Sequence, residues 1–163
     1  MKSKLPEVLG EPRLLLIGVR MVLWRASLPL LKRMISLESL VRLLATSRLR
    51  QRDTMVETVI VRLAGRLWRS ADGPCLERSL ALFRELGLAG ASPQLVTGIE
   101  KAGETFLGHA WVVVDGAPVL DTEHLGFVEL LRFSASGVRL VPSACFPEEP
   151  AVSQAARRIR RGV

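Results

Sequence analysis

Cysteine is almost missing from this 163-residue chain, with Cys75 and Cys145 its two copies. Two cysteines make no disulfide framework, and without a C-x-x-C pair there is no zinc signal. No metal centre is expected, and a reducing cytosol is the simplest compartment. Tyrosine is absent and aromatic residues amount to 5%. No glycine-rich phosphate loop is present, which excludes nucleotide binding by such a loop and leaves no cofactor to expect. There is no internal repeat and no low-complexity segment. The apolar run "LLLIGVRMVLW" (Leu14 to Trp24) is interrupted by Arg20 and is shorter than the ~20 apolar residues that span a bilayer. No small-residue cleavage site follows it. A buried core helix is the favoured reading. A helix lying on a membrane surface, flanked and punctuated by Arg13, Arg20 and Arg25, is the alternative.

What is present is apolar and basic. Hydrophobic residues make up 48% and the mean hydropathy is +0.27. A chain of this length reads as one domain with a small appendage at most, burying about two-thirds of its unfolded surface. The net charge of +7 is unevenly placed. Residues 1–70 carry 14 Lys/Arg against 5 Asp/Glu, a balance of +9, and residues 71–163 carry 9 against 11, a balance of −2. A basic segment suits an anionic membrane, an acidic partner protein or nucleic acid, or is merely a solvated helix face.

The first 70 residues read as helices. Leu14, Ile17, Met21 and Trp24 keep helical spacing until Pro29, where the pattern is expected to break. A second helix starts near Ser36 and carries Leu37, Leu40, Val41 and Leu44. A third follows the T-x-x-E capping-box spacing of Thr54 and Glu57 and carries Val56, Val59, Ile60, Leu63 and Leu67. The turn "SADGPC" (Ser70 to Cys75) is the predicted boundary between a basic helical segment, 1–70, and a second domain, 71–163. There Asp72 is a plausible N-cap and Pro74 suits a first helical turn. The helix that follows, running through "CLERSLALFREL", should stop at Gly87. After it the period changes to that of strands: "QLVTGIE", "FLGHAWVVV", "APVLD", "FVELLRFSA" and "GVRLVPS", then a last basic helix, "SQAARRIRRG". Helices followed by antiparallel strands predict an α+β fold.

Three residues form a catalytic pattern. Cys75 falls in a first helical turn, where unpaired N–H groups and the helix dipole favour a thiolate and can bind an oxyanion. His109 is the candidate base, and Asp121 the candidate acceptor that orients its imidazole. A three-residue hairpin with a bulge at Gly116 pairs Val113 with Ala117 and sets His109 directly opposite Asp121. A tight two-residue turn at Asp115-Gly116 sets Asp121 opposite Ala110 instead, pointing to the other face. The triad therefore calls for the bulged turn. Trp111 shares the face of His109 if the strand alternates, so it is a candidate for shielding the pair and contacting substrate. Cys145 reads as a passive thiol and His124 as a surface residue. On pattern alone a small core cysteine and a structural histidine remain open readings.

"CLERSLALFRELG", "LVTGIE" and "GHAWVVVDGAPVLD" together resemble the transglutaminase-like cysteine protease domain of lasso-peptide biosynthesis B2 proteins. The match includes Cys75, Leu76, Arg78, Ser79, Leu80 and Leu82, then Gly98, then His109, Ala110, Trp111, Val112, Asp115, Gly116 and Asp121. It covers roughly residues 70–133, and Val113 departs from it where family members often carry Glu. The resemblance implies a papain/transglutaminase-like core, with a nucleophile-bearing helix packed on a small antiparallel sheet. It implies a Cys75-His109-Asp121 triad that removes the leader peptide from a ribosomally made precursor through an acyl-enzyme. It also implies two partners: a leader-binding protein and an ATP-dependent macrolactam synthetase. The helical character of residues 1–70 fits the split form, in which the leader-binding protein is separate. Arg42, Arg50 and Arg62 are then candidates for partner docking. Nucleic acid is not an expected partner, and membrane-surface contact stays open. The competing readings are another acyl or amide transferase of the same fold, and a non-catalytic basic adaptor on membrane or nucleic acid.

Overall fold

A computed structural model describes residues 12–46, 51–68, 74–120 and 126–141. Among these, four helices precede five strands: α1 (Pro12–Met34), α2 (Leu37–Leu44), α3 (Thr54–Leu67), α4 (Cys75–Leu88), β1 (Gln94–Ala102), β2 (Thr105–Val114), β3 (Ala117–Val119), β4 (Val128–Phe133) and β5 (Arg139–Leu140). The strands form one antiparallel sheet in the order β3-β2-β1-β4-β5. This is the α+β architecture that the change of hydrophobic period predicts.

α4 is the centre of the molecule. Leu80, Ala81, Leu82, Phe83 and Leu86 are all buried, because helices α1, α2 and α3 cover part of its surface and the sheet covers another. Each large apolar side chain so buried contributes about 1.5–3 kcal/mol. The main core joins these residues to Ile17, Met21 and Leu28 of α1, Leu40 and Leu44 of α2, Val56 and Ile60 of α3, and Leu95, Val112 and Phe133 of the sheet. A second, smaller core lies on the other face of the sheet: Val96, Trp111 and Val113, with Phe127 packed against them.

Two carboxylates of α4 are buried with the apolar residues, and α1 supplies their partners. Arg20 grips Glu85 with two nitrogens, and Trp24 Nε1 donates to the same carboxylate at 3.0 Å. Lys32 Nζ stands 2.5 Å from Glu77. Residues early in α1 therefore meet the end of α4 and residues late in α1 meet its start, so the two helices run antiparallel. Charged residues that read as solvated in the sequence are here the polar contacts between two core helices.

Several local expectations are corrected. Pro29 does not end the first helix, since α1 runs on to Met34 with Pro29 inside it. A proline removes one helical hydrogen bond, but Leu28 beside it is fully buried and that packing carries the chain through. α2 starts near Ser36 as expected, and Ser36 caps it, accepting from the Ser39 N–H. α3 is capped by Asp53, whose Oδ1 accepts from Val56 N at 3.1 Å, and not by a Thr54–Glu57 box. Glu57 is instead held by Arg52. Gly87 does not stop α4. It lies inside the helix where Thr46 leaves no room for a side chain, and Gly90, at φ +88°, takes the left-handed turn beyond the helix. Asp72, Cys145, His124 and the last basic helix lie outside the described residues.

The β2–β3 turn is also corrected. Val114 pairs with Ala117 and Val112 with Val119, which is a two-residue turn and not the bulged one. Asp115 and Gly116 both have positive φ, +52° and +79°, the primed geometry that Asp-Gly favours. The physical reason is burial. In this register Val119 shares the face of Val112 and packs on the main core, whereas the bulged register would turn it to the Trp111 face. Arg52 fastens the turn from outside, reaching Asp115 Oδ2 at 2.5 Å while it holds Glu57. Its pKa is raised, first by the hydrogen bond to Glu57 and then by that to Asp115.

Candidate active site

Cys75 is the first residue of α4, half-buried, with Pro74 at the N-cap position and no side chain capping the helix there. The helix start leaves backbone N–H groups without intrahelical partners. One turn on, Ser79 Oγ donates to the carbonyl of Ala110 at 2.8 Å. In a two-residue hairpin the residues that pair at the turn direct their backbone groups at each other, and every second residue follows. Val114, Val112 and Ala110 thus direct their carbonyls toward the β3 side. The last described β2–β3 pair is Val112 with Val119. Ser79 therefore ties the start of α4 to β2 just past the last described β2–β3 pair.

The same tie sets the level of Cys75. Leu86 of α4 and Val114 of β2 line one groove, so helix and strand run in the same direction from the Ser79–Ala110 bond. Cys75 lies four residues before Ser79, about 6 Å along the helix. About 6 Å back along β2 from Ala110 is Gly108, one residue beyond His109. Cys75 thus lies at the end of α4 nearer to the part of β2 that carries His109.

His109 lies on the face opposite the main core. Its ring is stacked on Trp111, centroids 5.9 Å apart and planes at 18°, and tilted against Phe127 at 5.0 Å. Its Nε2 is fully buried. Trp111 is 5% exposed, so nearly all of its ring belongs to the second core. Alternation along β2 thus holds for this pair. Gly98 pairs with His109 across β1 and β2. A Cβ on Gly98 would lie 2.7 Å from the carbonyl of Val128 and 3.0 Å from the Trp111 ring. The missing side chain is what lets the indole lie across β1 beneath the imidazole.

Asp121 lies outside the described residues. The observed register removes the argument that set it directly across from His109. Leu120, just before it, has φ +69°, so the chain leaves the extended conformation after β3 and strand alternation no longer fixes the side of Asp121. Of the docking candidates, Arg42 and Arg62 are exposed, and Arg50 lies outside the described residues. Arg62 and Glu57 line a groove of about 370 Å³, together with Val61, Leu86, Val114 and Val119. This groove is at the far end of α4, about 16 Å along the helix from Cys75. Among the described residues no group of three or more His, Cys, Asp or Glu is placed to hold a metal.

Sequence reasoning missed Ser79 and Phe127 as supports of the pair. Ser79 carried one readable signal, a polar residue one turn after the cysteine in an apolar helix. Phe127 carried none, because its ring reaches His109 from a segment that follows the hairpin.

The family profile described as the Transglutaminase-like superfamily matches residues 15–132. The chain belongs to that superfamily, whose fold is compatible with cysteine protease or acyltransferase chemistry. No curated protein and no solved structure matches the chain.

Proposed function

We propose that this protein is a cysteine endopeptidase that removes the leader peptide from a ribosomally synthesised lasso-peptide precursor. The observation that supports the reading is a cysteine at the start of the central helix, which Ser79 ties to the strand that carries His109, in a chain of a superfamily whose fold is compatible with that chemistry. Cys75 attacks the scissile carbonyl, and the unpaired N–H groups at the start of α4 stabilise the oxyanion. His109 takes the thiol proton and gives it to the leaving amine. Water then releases the acyl-enzyme by the reverse path. Asp121 is assigned as the acceptor that orients the imidazole on the resemblance alone, since the β2–β3 register does not set it across from His109. α1, α2 and α3 pack on α4, and leader binding is assigned to a separate protein, as in the split form that the sequence resembles. The freed core N-terminus passes to an ATP-dependent macrolactam synthetase.

The test is cleavage of a candidate precursor with its leader-binding protein, followed by mass analysis. Cys75→Ala should abolish cleavage and Cys145→Ala should retain it. His109→Ala should be about as damaging as loss of Cys75, and Asp121→Asn should cost ~10²–10⁴-fold. Cleavage by Cys75→Ala would refute the assignment. A product carrying a new amide to an added amine, with no hydrolysis, would make the protein an acyl transferase using the same nucleophile.

A further inference from the structure

α1 buries Ile17, Met21 and Leu28 on its inner side and leaves apolar residues on its outer side as well. Arg20, Trp24 and Lys32 hold the buried carboxylates of α4. From Leu15 through Val19, Val22, Leu23 and Leu30 to Met34, the outward side chains are each at least 50% exposed. They span about 30 Å of helix, at spacings of three, four and seven residues apart from the adjacent pair Val22 and Leu23. No Asp or Glu occurs between Pro12 and Met34, while Arg13, half-exposed and shared with Asp53, stands at one end and Arg33 at the other. A folded monomer rarely leaves so long an apolar strip in water.

We infer that this strip seats α1 flat on an anionic lipid surface. The strip is convex, the outer side of one helix whose other side is in the core, and a bilayer interface accepts a convex apolar helix without a matching groove. Cations at both ends with no carboxylate between them complement anionic headgroups, in a segment whose first 70 residues balance at +9. The same charges disfavour a second copy: antiparallel strips would set Arg13 against Arg33, and parallel strips would set each arginine against itself. α1 is long and apolar enough to cross a membrane, with a mean hydropathy of 1.7 over its 18-residue window. Crossing would pull Ile17, Met21 and Leu28 out of the core and strand Glu85 and Glu77, whose side chains are 0% and 3% exposed. The helix therefore lies in the interface plane, with the rest of the protein above it.

The test is co-sedimentation of the full chain with vesicles of phosphatidylcholine alone, or mixed equally with phosphatidylglycerol, across a salt series. The parent should bind the anionic vesicles at least tenfold more tightly than the neutral ones, and less tightly as salt rises. Val19→Glu with Leu23→Glu should lower that binding at least tenfold, and Val19→Ser with Leu23→Ser should lower it too, with melting temperatures near the parent's. Arg13→Glu with Arg33→Glu should remove the preference for anionic vesicles. Equal binding by the Val19/Leu23 variants, equal binding to neutral vesicles, or no vesicle binding by the parent would each overturn the proposal. A parent dimer that the Val19/Leu23 variants dissolve, without vesicle binding, would give the strip to a second copy and overturn it as well.

Discussion

Gly98 shows how little room surrounds His109. The imidazole rests on the Trp111 ring, and the Trp111 ring rests where Gly98 has no side chain. Gly98→Ala must move either the indole or the β4 backbone, an overpacking of about 1–3 kcal/mol. The melting temperature should fall by roughly 2–12 °C. Because the moving ring is the one that carries His109, cleavage measured well below the melting point should fall at least tenfold. A lower melting temperature with unchanged cleavage would reduce Trp111 to core filling. The His109–Trp111 pair was readable from strand alternation, and so was the place of Cys75 at a helix start. The need for Gly98 was not physically readable, because it depends on a ring from β2 and a carbonyl from β4 meeting over one residue of β1.

Between elements, the α1–α4 contact makes the sharpest claim on stability. Glu85 is buried with Arg20 and Trp24 as its partners. Removing one partner of a buried ion pair typically costs about 3–5 kcal/mol, whereas replacing both with apolar groups is often near neutral. Arg20→Met should therefore lower the melting temperature by roughly 6–20 °C, and Arg20→Met with Glu85→Leu should recover most of that loss. Thermal melting of the two variants checks it, and a single variant as stable as the parent would contradict the buried pair. The apolar stripe of α1 was legible, but its inward charges were not, since an arginine in a helix reads the same whether it faces water or a buried carboxylate. The hairpin was legible as a hairpin. Its register was not, because Asp-Gly suits both a two-residue and a bulged turn, and the choice fell to the burial of Val119 against a helix the local sequence does not mention.

Across the whole chain, charge changes sign near residue 70 while packing does not. The main core draws on all four helices and on the sheet, and the family match also runs through that point. The basic character of the first 70 residues is partly consumed inside the fold: Arg13 meets Asp53, Arg20 meets Glu85, Lys32 meets Glu77 and Arg52 meets Glu57 and Asp115. Exposed Arg42 and Arg62 are better placed to meet a partner. Reversing both to Glu should change stability by no more than about 0.5 kcal/mol per site. On the proposed function, it should weaken binding of the leader–partner complex several-fold at low salt and less at high salt, because such contacts are screened. Labelling of Cys75 by a small thiol reagent should stay unchanged. Titrating the complex in a salt series, with labelling in the same samples, checks both arms, and undiminished binding at low salt would return the two arginines to solvent.

The outer margin of the sheet has its own arithmetic of donors. Within β3, Ala117 and Val119 turn their backbone groups to β2, so the residue that looks outward is Pro118, which owns no N–H. An extended chain laid beside β3 finds a carbonyl to approach and nothing to receive from. A substrate cannot be recruited there by adding another rung to the ladder. Whatever this protein recognises along that margin it must read through side chains, and that makes its choice depend on the order of residues in the visitor.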